Sequence, residues 1–282
     1  MFLFKKISPF QLYLTSERRA KRSVGFVPTM GALHEGHLAL VAQAMQQHEC
    51  VVCSIFVNPT QFNDTGDLEK YPRTPLKDIE MLAKVGCQVL FMPDVSVVYP
   101  TDAKIKSDFS FGNLDKIMEG AFRPGHFKGV AQVVNRLLEI VQPNALYMGQ
   151  KDYQQVKIVE EMLEQTNSKV QLIMCPTLRE PDGLALSSRN VRLNPEIRID
   201  AKIIHQTLLR AKEMAADHFS PKDIQAFAIK NLTIPGFRPE YFEIVDGQTL
   251  QPLERWSNGK VPVACTAVWA GDVRLIDNMI LI

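Results

Sequence analysis

The chain has 282 residues, 46% of them hydrophobic, and its 32 Lys and Arg against 31 Asp and Glu leave a formal net charge of +1. Such apolar content excludes a disordered or fibrous chain and suffices for one large domain or for a large and a small one. The even charge balance excludes a chain-wide field that draws in polyphosphate backbones, so no nucleic-acid partner is expected and any phosphate chemistry must rest on a local site.

Residues 1–6 are apolar and then basic, but Ser8, Pro9 and Gln11 follow at once, so no signal-peptide core develops. The longest apolar runs, residues 51–57 and 261–270, are strand-sized and far short of the roughly 20 residues that span a bilayer. A cytoplasmic protein with no membrane partner is expected. The densest basic cluster, residues 18–22, reads as a solvated helix end.

Residues 23–28 (SVGFVP) form a short apolar run, and Leu38, Val41, Ala42 and Met45 then recur at helical spacing across residues 36–47. The same alternation continues with a strand at 51–58, a helix at 75–85, a strand at 89–92, a helix at 129–141 stopped by Pro143, a strand at 145–148, a helix from 152 to about 165 and a strand at 170–175. Strands alternating with helices predict an α/β fold with a doubly wound parallel sheet. Ligands of such sheets bind beyond the carboxyl ends of the strands, which directs attention to the loops after Val27, Phe56, Tyr147 and Cys175.

Beyond Arg189 the pattern changes. Pro195 opens a helical stretch to about residue 216, Ser220 and Pro221 cap another, and residues 241–245, 261–269 and 273–276 are β-rich, with Gly271 and Asp272 as a hairpin turn. A second, smaller α+β domain is expected, giving domains 1–185 and 186–282. The five cysteines are an odd number in hydrophobic segments, which suits reduced, buried thiols. Cys50 and Cys53 have redox-like spacing, but they sit in a strand that sends them to opposite faces.

The strongest chemical signal is PTMGALHEGH, residues 28–37, at a strand end that opens a helix. Gly31 permits backbone conformations closed to other residues, Gly36 allows close approach of a ligand to the main chain, and the helix start offers N–H groups to an anion. His34 and His37, three apart, can bring both rings to one spot and donate to charge building on phosphorus oxygens. A zinc site would need a third ligand, and Glu35 points elsewhere; a dinucleotide fingerprint needs GxGxxG, which GALHEG lacks.

Other segments are less specific alone. LALSSRN, residues 184–190, places Ser187, Ser188 and Arg189 after a PDG turn, suited to phosphates or simply to a capped surface loop. GQKDYQQ, residues 149–155, offers Lys151 to a phosphate, with Asp152 as a helix cap and Gln155 one turn on; a solvated helix start is the alternative. FVNPTQF, residues 56–62, offers the amides of Asn58 and Gln61 to a small polar substrate, or turn chemistry around Pro59. EGAFRPGHFKGV, residues 119–130, carries Arg123, His126 and Lys128 on a glycine-flanked loop that either covers an anion or is structural.

In order and approximate spacing, these segments and YPRTP at residues 71–75 closely resemble the pantoate–β-alanine ligase family, across nearly the whole chain. The resemblance implies a Rossmann-like catalytic domain, a C-terminal domain that closes over the site, and a homodimer. It implies condensation of (R)-pantoate with β-alanine through a pantoyl adenylate, using ATP and Mg2+ and releasing AMP and pyrophosphate. His37, His34, Lys151 and Arg189 are the implied catalytic residues. Met30, Gly31, Ala32, Leu33, His34, Glu35, Gly36 and His37 would line the ATP site with Gly149, Gln150, Lys151, Asp152, Leu178, Leu186, Ser187, Ser188 and Arg189. Gln61, Gln155 and Asn58 would face the substrate. Leu178 and Leu186 depart from the family pattern, where Val and Met are expected, and both exchanges are apolar. The other reading is an HxGH-type nucleotidyltransferase acting on a different small carboxylate or phosphate. Metal ligands are not legible.

Overall fold

Residues 24–29 and 50–55 are rich in β-formers that suit burial on both faces, and they occupy the centre of a parallel sheet. The computed structural model describes residues 1–62, 65–101 and 105–282. These divide into two compact units, Met1–Gly149 with Gln155–Pro176, and Gln150–Gln154 with Thr177–Ile282.

Up to residue 175 the elements are β1 (Phe2–Phe4), α1 (Ile7–Arg19), β2 (Val24–Thr29), α2 (Glu35–Gln47), β3 (Cys50–Ile55), α3 (Thr65–Lys70), α4 (Pro75–Val85), β4 (Val89–Phe91), α5 (Val95–Val98), α6 (Glu119–Phe122), α7 (His126–Val141), β5 (Ala145–Gly149), α8 (Tyr153–Gln165) and β6 (Gln171–Cys175). All pairings are parallel, in the order β1-β4-β3-β2-β5-β6. The chain winds outward from β2 to β4 and restarts at β5 on the other side of β2. This is the expected Rossmann-like, doubly wound sheet, with its switch of direction between β2 and β5.

Alternation along the strands feeds two cores. Val24, Phe26, Cys50 and Val52 join one, with Phe10, Phe91 and the buried face of α7, while Val27, Val51, Cys53 and Ile55 join the other, with Val41, Ala44 and Leu82. Cys50 and Cys53 therefore lie on opposite faces, as their spacing predicts. Burial pushes the Cys50 thiol up to about 12 and raises Cys53 well above its ordinary value, which leaves neither a thiolate for redox chemistry. Sequence periodicity does not reveal β1, whose three residues pair with β4 at the sheet edge.

The second unit contains α9 (Pro195–Asp200), α10 (Ile203–Ala216), α11 (Pro221–Leu232), β7 (Phe237–Asp246), β8 (Pro262–Ala270) and β9 (Val273–Ile280). The three strands form an antiparallel sheet in sequence order, and Gly271 and Asp272 make the two-residue turn between β8 and β9. Leu208, Ala211, Ile224 and Ala228 of the helices share a core with Ile244, Ala264, Val268 and Leu275 of the sheet. The helix expected over residues 195–216 is two, because α9 ends in a tightened turn in which the Ala201 N–H donates to Arg198 O and Ile197 O. This unit takes up the chain at Thr177 rather than at residue 186. The reason is a short hairpin, in which the Leu186 N–H donates to Leu178 O at 3.1 Å and the Glu180 N–H donates to Leu184 O at 2.8 Å.

Candidate active site

The turn after β2 takes a shape few residues allow. Gly31 has φ +80 and Ala32 φ +49, and a left-handed non-glycine residue costs about 1–2 kcal/mol. A Cβ on Gly31 would stand 3.0 Å from the Ile55 side chain and 3.1 Å from Asp78 Oδ2. The compensation comes from Asp78, in the first turn of α4. Its Oδ2 accepts the Ala32 N–H at 3.0 Å, and its Oδ1 accepts the Leu33 N–H at 2.9 Å and the Thr74 hydroxyl at 3.0 Å. The carboxylate is 1% exposed, so these are charge-assisted bonds away from water.

The clamp delivers the chain to α2 with His34 as N-cap, in extended conformation, and with Glu35, Gly36 and His37 in the first turn. The His34 and His37 rings stand 4.0 Å apart between centroids. The spacing of three therefore does bring them together. The His34 N–H donates to His37 Nδ1 at 3.4 Å. A ring nitrogen that accepts carries no proton, so neutral His37 holds its hydrogen on Nε2 and offers it as a donor. With the leading N–H groups of α2, the pair makes a helix start whose chemistry suits an anion. A cavity of about 390 Å³ adjoins the turn, lined by Met30, Gly31, Phe56, Arg73, Asp78 and Asp94.

Gln61 is 7% exposed, and its Nε2 donates to the weak acceptor Met30 Sδ, at 3.0 Å. Asn58 behaves differently from the expectation that it faces a ligand. Its Nδ2 donates to Gln61 Oε1 at 3.3 Å and to Gly129 O at 3.1 Å, while its Oδ1 accepts from the Tyr99 hydroxyl at 3.0 Å and the Thr60 hydroxyl at 3.2 Å. Its amide is committed to bonds within the protein, one of them to Gln61. In the 119–130 segment, His126 turns inward, with Nδ1 2.8 Å from Gln61 O, Arg123 Nη1 lies 3.3 Å from His126 Nε2 and 3.9 Å from Glu119, and Lys128 is exposed. This segment supports the Gln61 loop. Gln155 lies half-buried on α8.

In the second unit Lys151 and Asp152 occupy a short 3-10 turn, with Lys151 Nζ 3.4 Å from Asp152 Oδ1. The hairpin of residues 178–186 turns at Gly183, whose φ is +95 and whose Cβ position is filled by His205 Nδ1. Burial, reinforced by Arg179, holds the pKa of His205 below its ordinary value. Past the hairpin the Arg189 N–H donates to Ser187 Oγ at 3.3 Å, and Asn190 Nδ2 donates to Ala185 O at 3.0 Å. Ser187, Ser188 and Arg189 are thus presented by a bonded turn. Among the described residues no group of three His, Cys, Asp or Glu side chains is arranged to hold a metal ion, and no helix is long and apolar enough to cross a membrane.

Two residues of this site escape a reading of the sequence, and a third, His126, is legible only as one of two alternatives. Asp78 and Gly129 lie in segments that carry helical signals of their own, His126 lies on the glycine-flanked loop, and each acts on a loop more than 40 residues away. Only a buried-position polar residue on the apolar side of α4 hints at the first.

Comparison with known proteins places the chain in a family. The profile of the Pantoate-beta-alanine ligase family matches residues 3–280. The chain is 46% identical over 280 residues to a pantothenate synthetase of Bacteroides fragilis, covering 99% of this chain and 98% of that one. It is 43% identical over 281 residues to one of Porphyromonas gingivalis, with 99% of both covered. The crystal structure of pantothenate synthetase from Thermus thermophilus superposes with a TM-score of 0.92 at 41% identity, covering 100% of this chain and 99% of that one. A pantoate-beta-alanine ligase from Francisella tularensis, complexed with beta-gamma ATP and beta-alanine, gives 0.81 at 36% identity, covering 99% and 97%.

Proposed function

The chain belongs to the pantoate–β-alanine ligase family, and from that premise we propose which of its residues carry each step. The family match over residues 3–280, which takes in both the histidine turn and the Ser187–Arg189 loop, is the observation that carries this reading. The enzyme is a ligase that joins pantoate to β-alanine at the expense of ATP. An HxGH-type transferase of another specificity fits less well, because relatives sharing over 40% of residues along the whole chain are named pantothenate synthetase.

A carboxylate does not acylate an amine at neutral pH, since oxide is too poor a leaving group. In our reading the pantoate carboxylate attacks the α-phosphorus of ATP, forming a P–O bond as the bond to pyrophosphate breaks. The β-alanine amine then attacks the acyl carbon, loses its proton and expels AMP. His37 Nε2–H and His34 donate to the α-phosphate oxygens where charge grows. Lys151, Ser187, Ser188 and Arg189 hold the β- and γ-phosphates, and residues 30–36, 149, 150 and 152 with Leu178 and Leu186 line the nucleotide. Gln61 and Gln155 orient pantoate, and Asn58 and His126 act through Gln61, so that the amides supply position rather than acid–base power.

A magnesium ion fits this donor set only as a companion of the nucleotide, held by phosphate oxygens and water, because the described residues offer no carboxylate cage. It would offset triphosphate charge. The second unit closing over the nucleotide, assembly as a homodimer and residence in the cytoplasm complete the reading. Five free, buried cysteines accord with a reducing compartment.

The deciding assay combines the protein with Mg-ATP, pantoate and β-alanine and follows AMP. AMP is expected only when pantoate is present; equal release without pantoate, or none with all components, rejects the assignment. A second prediction concerns pantoate alone. In Gly129→Ala the new Cβ would overlap Thr60 O and lie 2.7 Å from Gln61 Cα, main-chain atoms that cannot rotate away. Overpacking of this kind costs about 1–3 kcal/mol, and here it displaces Gln61. We expect a lower melting temperature and a KM for pantoate raised well beyond that for ATP. Equal changes in both constants would separate Gly129 from the pantoate side.

A further inference from the structure

Asn278, near the end of β9, is 3% exposed, and its amide is fully committed. Nδ2 donates to Gln150 O and to Lys151 O, each at 2.8 Å, and Oδ1 accepts from Gln150 Nε2 at 3.3 Å. One side chain thus fixes the two peptide carbonyls that bracket Lys151. Its neighbour Asp277, 4% exposed, takes Arg179 in a fork, with Nη1 to Oδ2 at 2.6 Å and Nη2 to Oδ1 at 3.1 Å. The same guanidinium donates to Gly183 O at 3.2 Å, at the turn of the hairpin that leads to Ser187. Asp277 is itself oriented by the Asn278 N–H, which donates to Oδ1 at 2.8 Å.

Neighbouring side chains on a strand diverge, so one step along β9 serves two loops. We propose that Asp277 and Asn278 are positioning residues for the nucleotide step. Asn278 sets the backbone that carries Lys151, and Asp277, through Arg179, sets the hairpin that carries Ser187, Ser188 and Arg189. The proposal rests on the reading above that Lys151 and Arg189 hold ATP phosphates. Asparagine is required at 278 because the position needs two donors and one acceptor on a short, planar group. Aspartate keeps the acceptor and turns oxygen toward two carbonyls, and leucine keeps only the shape.

The test is a double-mutant cycle in the full-length enzyme, read as pantoate-dependent ATP–pyrophosphate exchange. Asn278→Ala is expected to lower kcat/KM for ATP by about 10- to 100-fold, the scale of a displacement near 1 Å at a reacting group. The KM for β-alanine in the full reaction should stay within about twofold. Lys151→Ala alone should be slow, and adding Asn278→Ala to it should cost no more than about a further twofold, because residues that act through one another are not additive. Wild-type exchange in Asn278→Ala, or factors that multiply in the double variant, overturns the proposal while Lys151 keeps its role. Unchanged exchange in Lys151→Ala overturns the phosphate role of Lys151 and the Asn278 inference with it. Should Asn278→Ala fail to fold, Asn278→Asp, of equal size, is read by the same outcomes. The Asp277 half is read by Arg179→Lys, which breaks the fork, cycled against Arg189→Ala with the same two results.

Discussion

His37→Ala is expected to slow pantoate-dependent release of pyrophosphate by at least about a hundredfold, the usual scale for losing a donor to a developing oxyanion. The argument lies in the ring's two nitrogens. Nδ1 accepts the His34 N–H, so in the neutral ring Nε2 carries the hydrogen. Alanine removes that donor and also leaves the His34 N–H without its acceptor. His37→Gln, which keeps a donor on a flexible arm, should recover part of the loss, as a purely steric role would not allow. The second step offers the internal control. Supplied with pantoyl adenylate, His37→Ala should still transfer the acyl group to β-alanine far more readily than it makes the adenylate. Normal pyrophosphate release with only amine transfer lost would remove His37 from the phosphate.

The parts of this molecule legible in its sequence are those whose cause is local. β2 and β3 announce themselves as apolar runs, α2 and α4 by helical spacing, and the β8–β9 hairpin by Gly271 and Asp272, because each obeys rules that act over a few residues. His34 and His37 are legible for the same reason: three residues along a helix start are neighbours wherever that helix lies. What is not legible depends on distant partners. Asn58 reads as a ligand-facing amide until Gly129, 71 residues on, is found to accept its hydrogen bond. His126 reads as a cation on a loop, yet it meets the main chain of Gln61 from 65 residues away. The dipeptide Asp277–Asn278 carries no local signal, since the partners of Asn278 at 150 and 151 are 128 and 127 residues back and that of Asp277, Arg179, is 98 back. The break between α9 and α10 and the edge strand β1 fall below the length over which periodicity speaks.

Asp78→Asn is the substitution in which that long-range kind of support should show most clearly. The side chain keeps its size and one oxygen, so the bonds from the Leu33 N–H and the Thr74 hydroxyl can persist at Oδ1. At Oδ2, however, an amide NH2 would face the Ala32 N–H, donor against donor, at a position where the acceptor now sits 3.0 Å away. Asp78 is 1% exposed, so the repulsion is little screened by water, and a buried polar group set against its like costs about 1–3 kcal/mol. The Asp78 carboxylate supports Ala32 at φ +49, so the strain of that residue should relax by moving the turn once that bond turns repulsive. His34 and His37 follow two and five residues later and would leave their positions with it. We therefore expect adenylate formation to fall by about 10- to 100-fold, together with a lowered melting temperature. Asp78→Glu should fail to rescue either, because the added methylene carries the carboxylate away from the Ala32 and Leu33 N–H groups it now meets at 3.0 and 2.9 Å. Thermal melting and pyrophosphate exchange on the same preparations check the pair. A variant that melts early but exchanges at the wild-type rate would show that Asp78 holds the fold without holding the histidines.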